Sequence, residues 1–239
     1  MSTQSQPRAL SPIEKTVSVT GLIAAVIILL AAGLYSLSGI SYTQSFSGLF
    51  ALDSLHIWWY ISRAAGLMGY LLFWLSTVWG FAVSSKILDS FLERTFTYDF
   101  HEHLSLLSIG FIVLHVVVLL FDKYEPLSML EILVPFVSAY RPFWVGIGII
   151  GFYLTILVTI TFYIRDRISM QAFRKIHYLS IAAFVGSFAH SLYSGTDSTI
   201  TWVQLMYWGT FLSTVFFGLQ WIFTLLLRRR EARTTSTGV

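Results

Sequence analysis

The chain has no cysteine, and of its 239 residues only 11% are charged and only five are proline. The missing cysteines exclude disulfides, iron–sulfur clusters and any metal centre that needs a thiolate ligand. A typical soluble domain carries roughly 25% charged residues, so the low charge argues against an ordinary soluble protein. No stretch combines basic and aromatic residues in the way of a nucleic-acid-binding surface, so no nucleic-acid partner is predicted.

What the chain has is long apolar runs, since 56% of its residues are hydrophobic. A helix needs about 20 apolar residues to cross a bilayer, and helices satisfy their own backbone hydrogen bonds in lipid. The runs lack the alternation expected of a β-barrel. The sequence therefore predicts an all-α integral membrane protein, a bundle of six transmembrane helices. The six predicted segments lie at residues 17–38, 57–83, 101–121, 143–164, 174–194 and 201–227.

Basic residues indicate the orientation of this bundle. The six-helix domain, 17–227, is flanked by a polar tail at 1–16 and a basic tail at 228–239. On an alternating path, twelve of the 15 lysines and arginines fall on one side, two on the other and one within a segment. Because basic loops stay inside, we expect a multi-pass protein of the cell membrane with both termini cytoplasmic and basic ends against anionic lipid.

Five of the six histidines lie in the third and fifth predicted segments, and four of these are at matched depths. His101 and His115 are 14 residues apart, and His177 and His190 are 13 apart. Imidazole is unfavourable in hydrocarbon, so four of them require a shared partner. Haem iron accepts neutral imidazole, and without cysteine the haem would be a non-covalent b haem. Pairing His101 with His177 and His115 with His190 predicts two b haems between these segments, about 20 Å apart along the axis.

Helix geometry selects among the histidines. At about 100° per residue, the 14-residue pair returns to within some 40° of one face, whereas His103 lies some 120° from His115 and is rejected as a ligand. The 13-residue pair is about 140° apart on an ideal helix, so the fifth segment needs a local distortion, for which Gly186 is the expected place. For any single histidine, a hydrogen bond to a neighbouring carbonyl is the simpler interpretation.

At these histidines the chain resembles the ferric reductase-like transmembrane domain family, which includes the membrane part of NADPH oxidases. The resemblance covers roughly residues 56–200 and includes WWYISRAAGLMGYLLFWLS, LVPFVSAYRPFWVGIGIIGFYL and HSLYSGTDS as well as the two histidine spacings. It implies two b haems between the third and fifth helices, with His101 rather than His103 as the inner ligand. The substrate is not implied by any of these motifs.

The electron donor is expected to be separate. No G-x-G-x-x-G in a strand–helix context is present, so we expect electrons from a flavoprotein reductase or from quinol. The predicted function is transmembrane electron transfer to an outer acceptor, either a ferric chelate, dioxygen or a partner protein. One alternative is a haem-binding membrane subunit of a two-protein oxidoreductase that is fed by quinol. The other is a haem-free transporter or assembly protein.

Arg63 is the cation expected to pair with an outer-haem propionate, since it lies two turns inside the second predicted segment. The alternative is that its side chain reaches the outer headgroups. Arg141 is a second candidate, and His56 is interpreted as an interfacial residue. Three aromatic residues are expected to pack in the core rather than line a haem pocket: Phe111, Phe184 and Phe188. Three carboxylates are expected to be solvated loop residues rather than a metal or proton site: Asp122, Glu125 and Asp197.

Overall fold

A computed structural model describes residues 57–122 and 127–236 of the chain. Every regular element in these two ranges is helical, as predicted, and none is a strand. The first predicted segment, 17–38, lies outside the described residues together with the tail at 1–16, His56 and Glu125.

The described residues form seven α-helices and two short 3₁₀ helices. In chain order the α-helices are α1 (Ile57–Ser85), α2 (Arg94–Leu119), α3 (Met129–Leu133), α4 (Pro142–Tyr163), α5 (Met170–His177), α6 (Leu179–Ser194) and α7 (Thr201–Ser236). The 3₁₀ helices are Ile87–Ser90 and Thr196–Thr199. Within the described ranges, four helices are long and apolar enough to cross a membrane: α1, α2, α4 and the Thr201–Arg228 part of α7.

The fifth predicted segment is interrupted, and it forms the two helices α5 and α6 instead of one continuous helix. The interruption is at Tyr178, where the N–H of Ile181 bonds to the Tyr178 carbonyl three residues earlier, at 3.1 Å. This is the 3₁₀ pattern, which winds about 120° per residue instead of about 100°. The distortion predicted at Gly186 is therefore misplaced, because α6 continues through Gly186 and the change of winding directly follows His177.

Two pairs of helices pack most closely, α1 against α2 and α4 against α6. Small residues allow the close approach: a Cβ added to Gly69 of α1 would lie 3.0 Å from Ile112 of α2, and one added to Gly151 of α4 would lie 3.3 Å from the Ala183 carbonyl of α6. Helix α7 packs against α1. The histidine-bearing helix α2 thus faces α5 and α6, which carry the other two histidines, across space that the closely packed pairs leave open.

The buried core joins α1, α6 and α7 beside this space. It contains two of the three aromatic residues expected there, and its members are Tyr70, Phe73, Ala183, Phe184, Phe188, Val203 and Tyr207. The third, Phe111, lies where α2 meets Gly69 of α1. The hydroxyl groups of Tyr70 and Thr210 bond to each other at 2.6 Å, which satisfies both in an apolar surrounding. This core fixes α6, and with it His190, relative to α1.

Candidate functional site

Four histidines form two facing pairs at two levels of the bundle. The ring centres of His101 on α2 and His177 at the end of α5 are 6.1 Å apart. Those of His115 on α2 and His190 on α6 are 6.4 Å apart. We call these the His101 pair and the His115 pair. The structure therefore brings together the same two pairs of histidines that the sequence analysis matched by their depth in the membrane.

The His115 pair is held by backbone carbonyls. His115 donates from Nδ1 to the carbonyl of Ser62 on α1 at 2.9 Å, and His190 donates from Nδ1 to the carbonyl of Trp144 on α4 at 3.0 Å. A carbonyl oxygen can only accept, so Nδ1 carries the proton in both rings and Nε2 keeps its lone pair. Metal-binding histidines are commonly fixed in this way, because the bond orients the ring and raises the basicity of the coordinating nitrogen.

The His101 pair has weaker support. Nδ1 of His101 is 3.3 Å from the hydroxyl of Ser76 on α1. Nδ1 of His177 is buried and has no hydrogen-bond partner among the residues that the structure describes. His177 also directly precedes the 3₁₀ turn at Tyr178, whereas His190 lies well inside α6. The two members of this pair are therefore held unequally.

Glycines let three of the histidine rings lie against neighbouring helices. A Cβ added to Gly66 would lie 2.9 Å from Nδ1 of His115, and one added to Gly148 would lie 2.6 Å from Nδ1 of His190. A Cβ added to Gly80 would lie 3.2 Å from the nearest histidine ring. Distances below 3.0 Å are essentially never found for real Cβ atoms, so at the first two positions any larger residue would displace the ring.

The supporting residues on α1 were missed at the sequence level, although they leave a signal there. Ser62 and Gly66 are spaced as Ser76 and Gly80 are, and the two Ser-x3-Gly units are 14 residues apart. This is the spacing of the two histidines of α2. On two antiparallel helices, a shared period of 14 residues brings each unit opposite one histidine.

Each pair faces a cavity. The His115 cavity has a volume of about 220 Å³, and the His101 cavity has a volume of about 50 Å³. Phe73 and Thr155 line both, so they separate the two levels. Three residues of the segment before α4 also line the His115 cavity, namely Leu127, Ile132 and Tyr140. That segment thus closes over the cavity, with the Tyr140 hydroxyl donating to the Ser194 carbonyl at 3.0 Å.

The donor set and its spacing fit the axial ligands of a haem. The described residues contain no group of three or more His, Asp or Glu side chains that could hold a bare metal ion. Each pair therefore offers two ring nitrogens, which suits a metal whose other ligands come from a macrocycle. With each nitrogen about 2 Å from the metal and about 1 Å from its ring centre, the ring centres would be about 6 Å apart. Both pairs have this separation.

Arg63 forms an ion pair with Asp197 in the wall of the His115 cavity. Its Nε donates to Oδ2 of Asp197 at 2.8 Å, and its Nη2 donates to Oδ1. The side chains are 33% and 29% exposed. The expectation that Asp197 is a solvated loop carboxylate is wrong, because the 3₁₀ helix Thr196–Thr199 brings it against α1. The sequence-level alternatives for Arg63 did not include this partner.

The remaining candidates lie elsewhere. His103 is exposed and donates from Nδ1 to the Asp99 carbonyl at 2.7 Å, so it faces away from the His101 pair, in agreement with its rejection. Asp122 is only 5% exposed, so the expectation of a solvated carboxylate is wrong there also, because the end of α2 turns it inward. Arg141 does not line the His115 cavity; its guanidinium donates to the Tyr193 carbonyl.

Comparison with known proteins places the chain in a family. Residues 65–188 match the model of the ferric reductase like transmembrane component, a range that contains His101, His115 and His177 and ends two residues before His190. No curated protein and no solved structure gives a significant match. The match covers more than half of the chain and agrees with the apolar helices, which together support a membrane location. The chain therefore belongs to the ferric reductase-like transmembrane family.

Proposed function

We propose that the protein carries electrons across the cell membrane through two b haems. His101 and His177 would bind the inner haem, and His115 and His190 the outer one. The family suggests transmembrane electron transfer in general and binds haem as a rule. The observation that carries the finer proposal is the pair of facing imidazoles at each of two levels, with ring centres 6.1 and 6.4 Å apart.

The protein residues have three tasks in this proposal. Bound haem would supply reversible one-electron chemistry at each level. The carbonyls of Ser62 and Trp144 keep the Nδ1 proton of the His115 pair in place, so that Nε2 is the coordinating nitrogen. Apolar walls and the segment before α4 would shield much of the His115 cavity from water, while the side with Arg63 and Asp197 is partly exposed. With two histidines on each iron, an acceptor would be reduced without binding to the iron.

Arg63 is the residue we propose for an outer-haem propionate. It lines the same cavity as His115 and His190, where a second anion can reach it. A guanidinium has five N–H donors, and the ion pair with Asp197 occupies Nε and Nη2. The guanidinium therefore retains donors for a carboxylate on the cavity side.

Topology and partners complete the proposal. The basic residues favour six spans with both termini cytoplasmic, so that electrons would enter at the His101 pair and leave at the His115 pair. The donor would be a separate flavoprotein reductase or quinol. The acceptor would be a ferric chelate, dioxygen or a partner protein. If a partner protein is the acceptor, the chain is the membrane subunit of a two-protein oxidoreductase.

The proposal is tested by haem quantitation and a reduced-minus-oxidised spectrum of the full chain in detergent, made with ample haem. Two b haems per chain are expected in the wild type. His101→Ala and His177→Ala should each remove one haem, His115→Ala and His190→Ala the other, and His103→Ala should remove neither. A wild type without haem, or full haem content in all four ligand variants, would contradict the proposal.

A further inference from the structure

We propose that α1 is a positioning helix, in which each Ser-x3-Gly unit sets the orientation and the electron-donating strength of one histidine of α2. Ser62 and Gly66 act on His115, and Ser76 and Gly80 act on His101. This inference rests on the proposed function, because it concerns how the chain presents those histidines to haem.

The glycine of each unit has a geometric reason. In an α-helix the Cα–Cβ bonds lean toward the N-terminus, so the side chain at position i+4 covers the carbonyl at position i. A glycine at i+4 uncovers that carbonyl and lets a ring from another helix reach it. His115 uses this opening at Ser62 and Gly66, with Nδ1 2.9 Å from the carbonyl and 2.9 Å from where a Cβ would be. The same spacing recurs on α4, where Trp144 precedes Gly148 by four residues.

The serine of each unit acts differently at the two levels. The Ser62 hydroxyl donates to the His115 backbone carbonyl at 3.2 Å, so it ties α1 to α2. The ring proton on Nδ1 of His115 is shared between the Ser62 carbonyl at 2.9 Å and the Ser62 hydroxyl oxygen at 3.0 Å. At the other level the acceptor for the ring proton is the Ser76 hydroxyl, 3.3 Å from Nδ1 of His101. A hydroxyl can also donate, so this bond fixes the tautomer only if the Ser76 proton is engaged elsewhere.

Ser105 provides that engagement. Its hydroxyl donates to the His101 backbone carbonyl at 2.8 Å, so its oxygen is left to accept. The Ser76 hydroxyl lies 2.7 Å from the Ser105 oxygen and therefore donates to it. The Ser76 lone pairs are then directed to Nδ1–H of His101, and Nε2 of that ring keeps its lone pair. Two serines thus do at one level what one carbonyl does at the other.

The experiment compares Ser76→Ala with Ser62→Ala in the full chain in detergent. The readouts are haem content, the midpoint potential of each haem by redox titration, and the low-spin electron paramagnetic resonance signals. Ser76→Ala should keep both haems and raise the potential of one, the haem that is lost in His101→Ala, because the ring loses its acceptor and donates less electron density. Ser62→Ala should shift the potential of the other haem by less, because the Ser62 carbonyl still accepts the His115 ring proton when the hydroxyl is lost. Ser85→Ala is the matched control, since Ser85 is a buried serine of α1 whose hydroxyl donates to the Phe81 carbonyl at 2.6 Å and which lines neither cavity.

The glycines give a second measurement. Gly66→Ala should weaken haem binding at the His115 pair by about 10- to 100-fold and leave the other haem in place. Gly110→Ala on α2, where an added Cβ meets nothing within 4 Å, should change neither. If Gly66→Ala fails to fold, Ser76→Ala still decides. If Ser76→Ala shifts neither midpoint potential, or shifts both equally, the inference is overturned. The proposed function still holds in that case, provided that the wild type binds two haems. A wild type without haem would remove the proposed function itself.

Discussion

The two histidine pairs have nearly equal ring separations but unequal support. In the His115 pair both rings donate to backbone carbonyls, which belong to helices and cannot rotate. In the His101 pair one ring depends on a serine hydroxyl, and the other has no hydrogen-bond partner within the described ranges. The spacing of the histidines therefore follows from the helices alone, whereas the rigidity of each ring depends on the acceptor that the neighbouring helix offers to Nδ1.

The position of each ligand in its helix strengthens this contrast. His190 lies inside α6 and against Gly148, whereas His177 ends α5 next to a 3₁₀ turn. A residue at a helix end has fewer fixed neighbours than one in the middle of a helix. The cavities differ in the same direction, about 220 Å³ at the His115 pair and about 50 Å³ at the His101 pair. The chain thus has a preformed site at one level and a tighter, less firmly held site at the other.

The largest effect that would test this contrast is expected from Gly148→Ala. The added Cβ would lie 2.6 Å from Nδ1 and 2.7 Å from Cγ of His190, so the ring must leave its place and lose the Trp144 carbonyl. We expect the variant to lose the haem of the His115 pair and to keep the other. Haem content per chain and a redox titration with one remaining component would show this.

A glycine on the partner helix provides the control. Gly186→Ala lies in the same α4–α6 contact, but its Cβ would lie 3.3 Å from the Cγ2 methyl of Ile147, and no histidine is among its nearest atoms. It should retain both haems. Equal haem loss in the two variants would mean that Gly148 matters for helix packing and not for the position of His190.

Much of the architecture could be predicted from the sequence, because apolar length and histidine spacing are local properties. The all-helical fold, the exclusion of His103 and the relation between histidine depth and proximity each follow from counting residues along a helix. The Ser-x3-Gly repeat of α1 is also visible in the sequence. Serine and glycine are common in membrane helices, however, so the repeat indicates a role only once the structure places a histidine opposite each unit.

Other features of the structure could not be predicted from residue spacing along a helix. The turn at Tyr178 has no glycine or proline to mark it, because a change to 3₁₀ winding needs neither. The ion pair of Arg63 and Asp197 joins residues 134 positions apart, and only the packing of α1 beside the turn before α7 brings them together. Asp122 is buried for a similar reason, since the way in which α2 ends decides whether its last side chains face solvent.

A smaller difference is expected in the rate of haem loss. Two variants isolate the sites, because His115→Ala should hold only the haem of the His101 pair and His101→Ala only that of the His115 pair. A hydrogen bond contributes about 1 kcal/mol, which corresponds to roughly a fivefold change in a rate. We therefore expect haem to pass to an excess of an apo-haem protein about fivefold faster from His115→Ala. Equal rates would show that the lack of a partner for Nδ1 of His177 among the described residues does not weaken haem binding at the His101 pair.

The smallest effect is expected from Asp197→Asn, which tests the charge at the His115 cavity without changing the shape of the side chain. The substitution removes a negative charge and leaves the Arg63 guanidinium without the Asp197 counter-ion, at a pair whose side chains are about one-third exposed. Removing one charge near a partly exposed cavity changes the free energy of adding an electron to the haem by on the order of 1 kcal/mol, or tens of millivolts. The midpoint potential of the outer haem should therefore rise, because adding an electron becomes more favourable once a nearby negative charge is removed, while that of the inner haem should change much less. Redox titration of the full chain at low and at high salt would measure both. The shift should be smaller at high salt, because the pair is partly open to ions. A shift of equal size at the two haems would show that the ion pair acts on the whole bundle and would contradict a local effect at the His115 cavity.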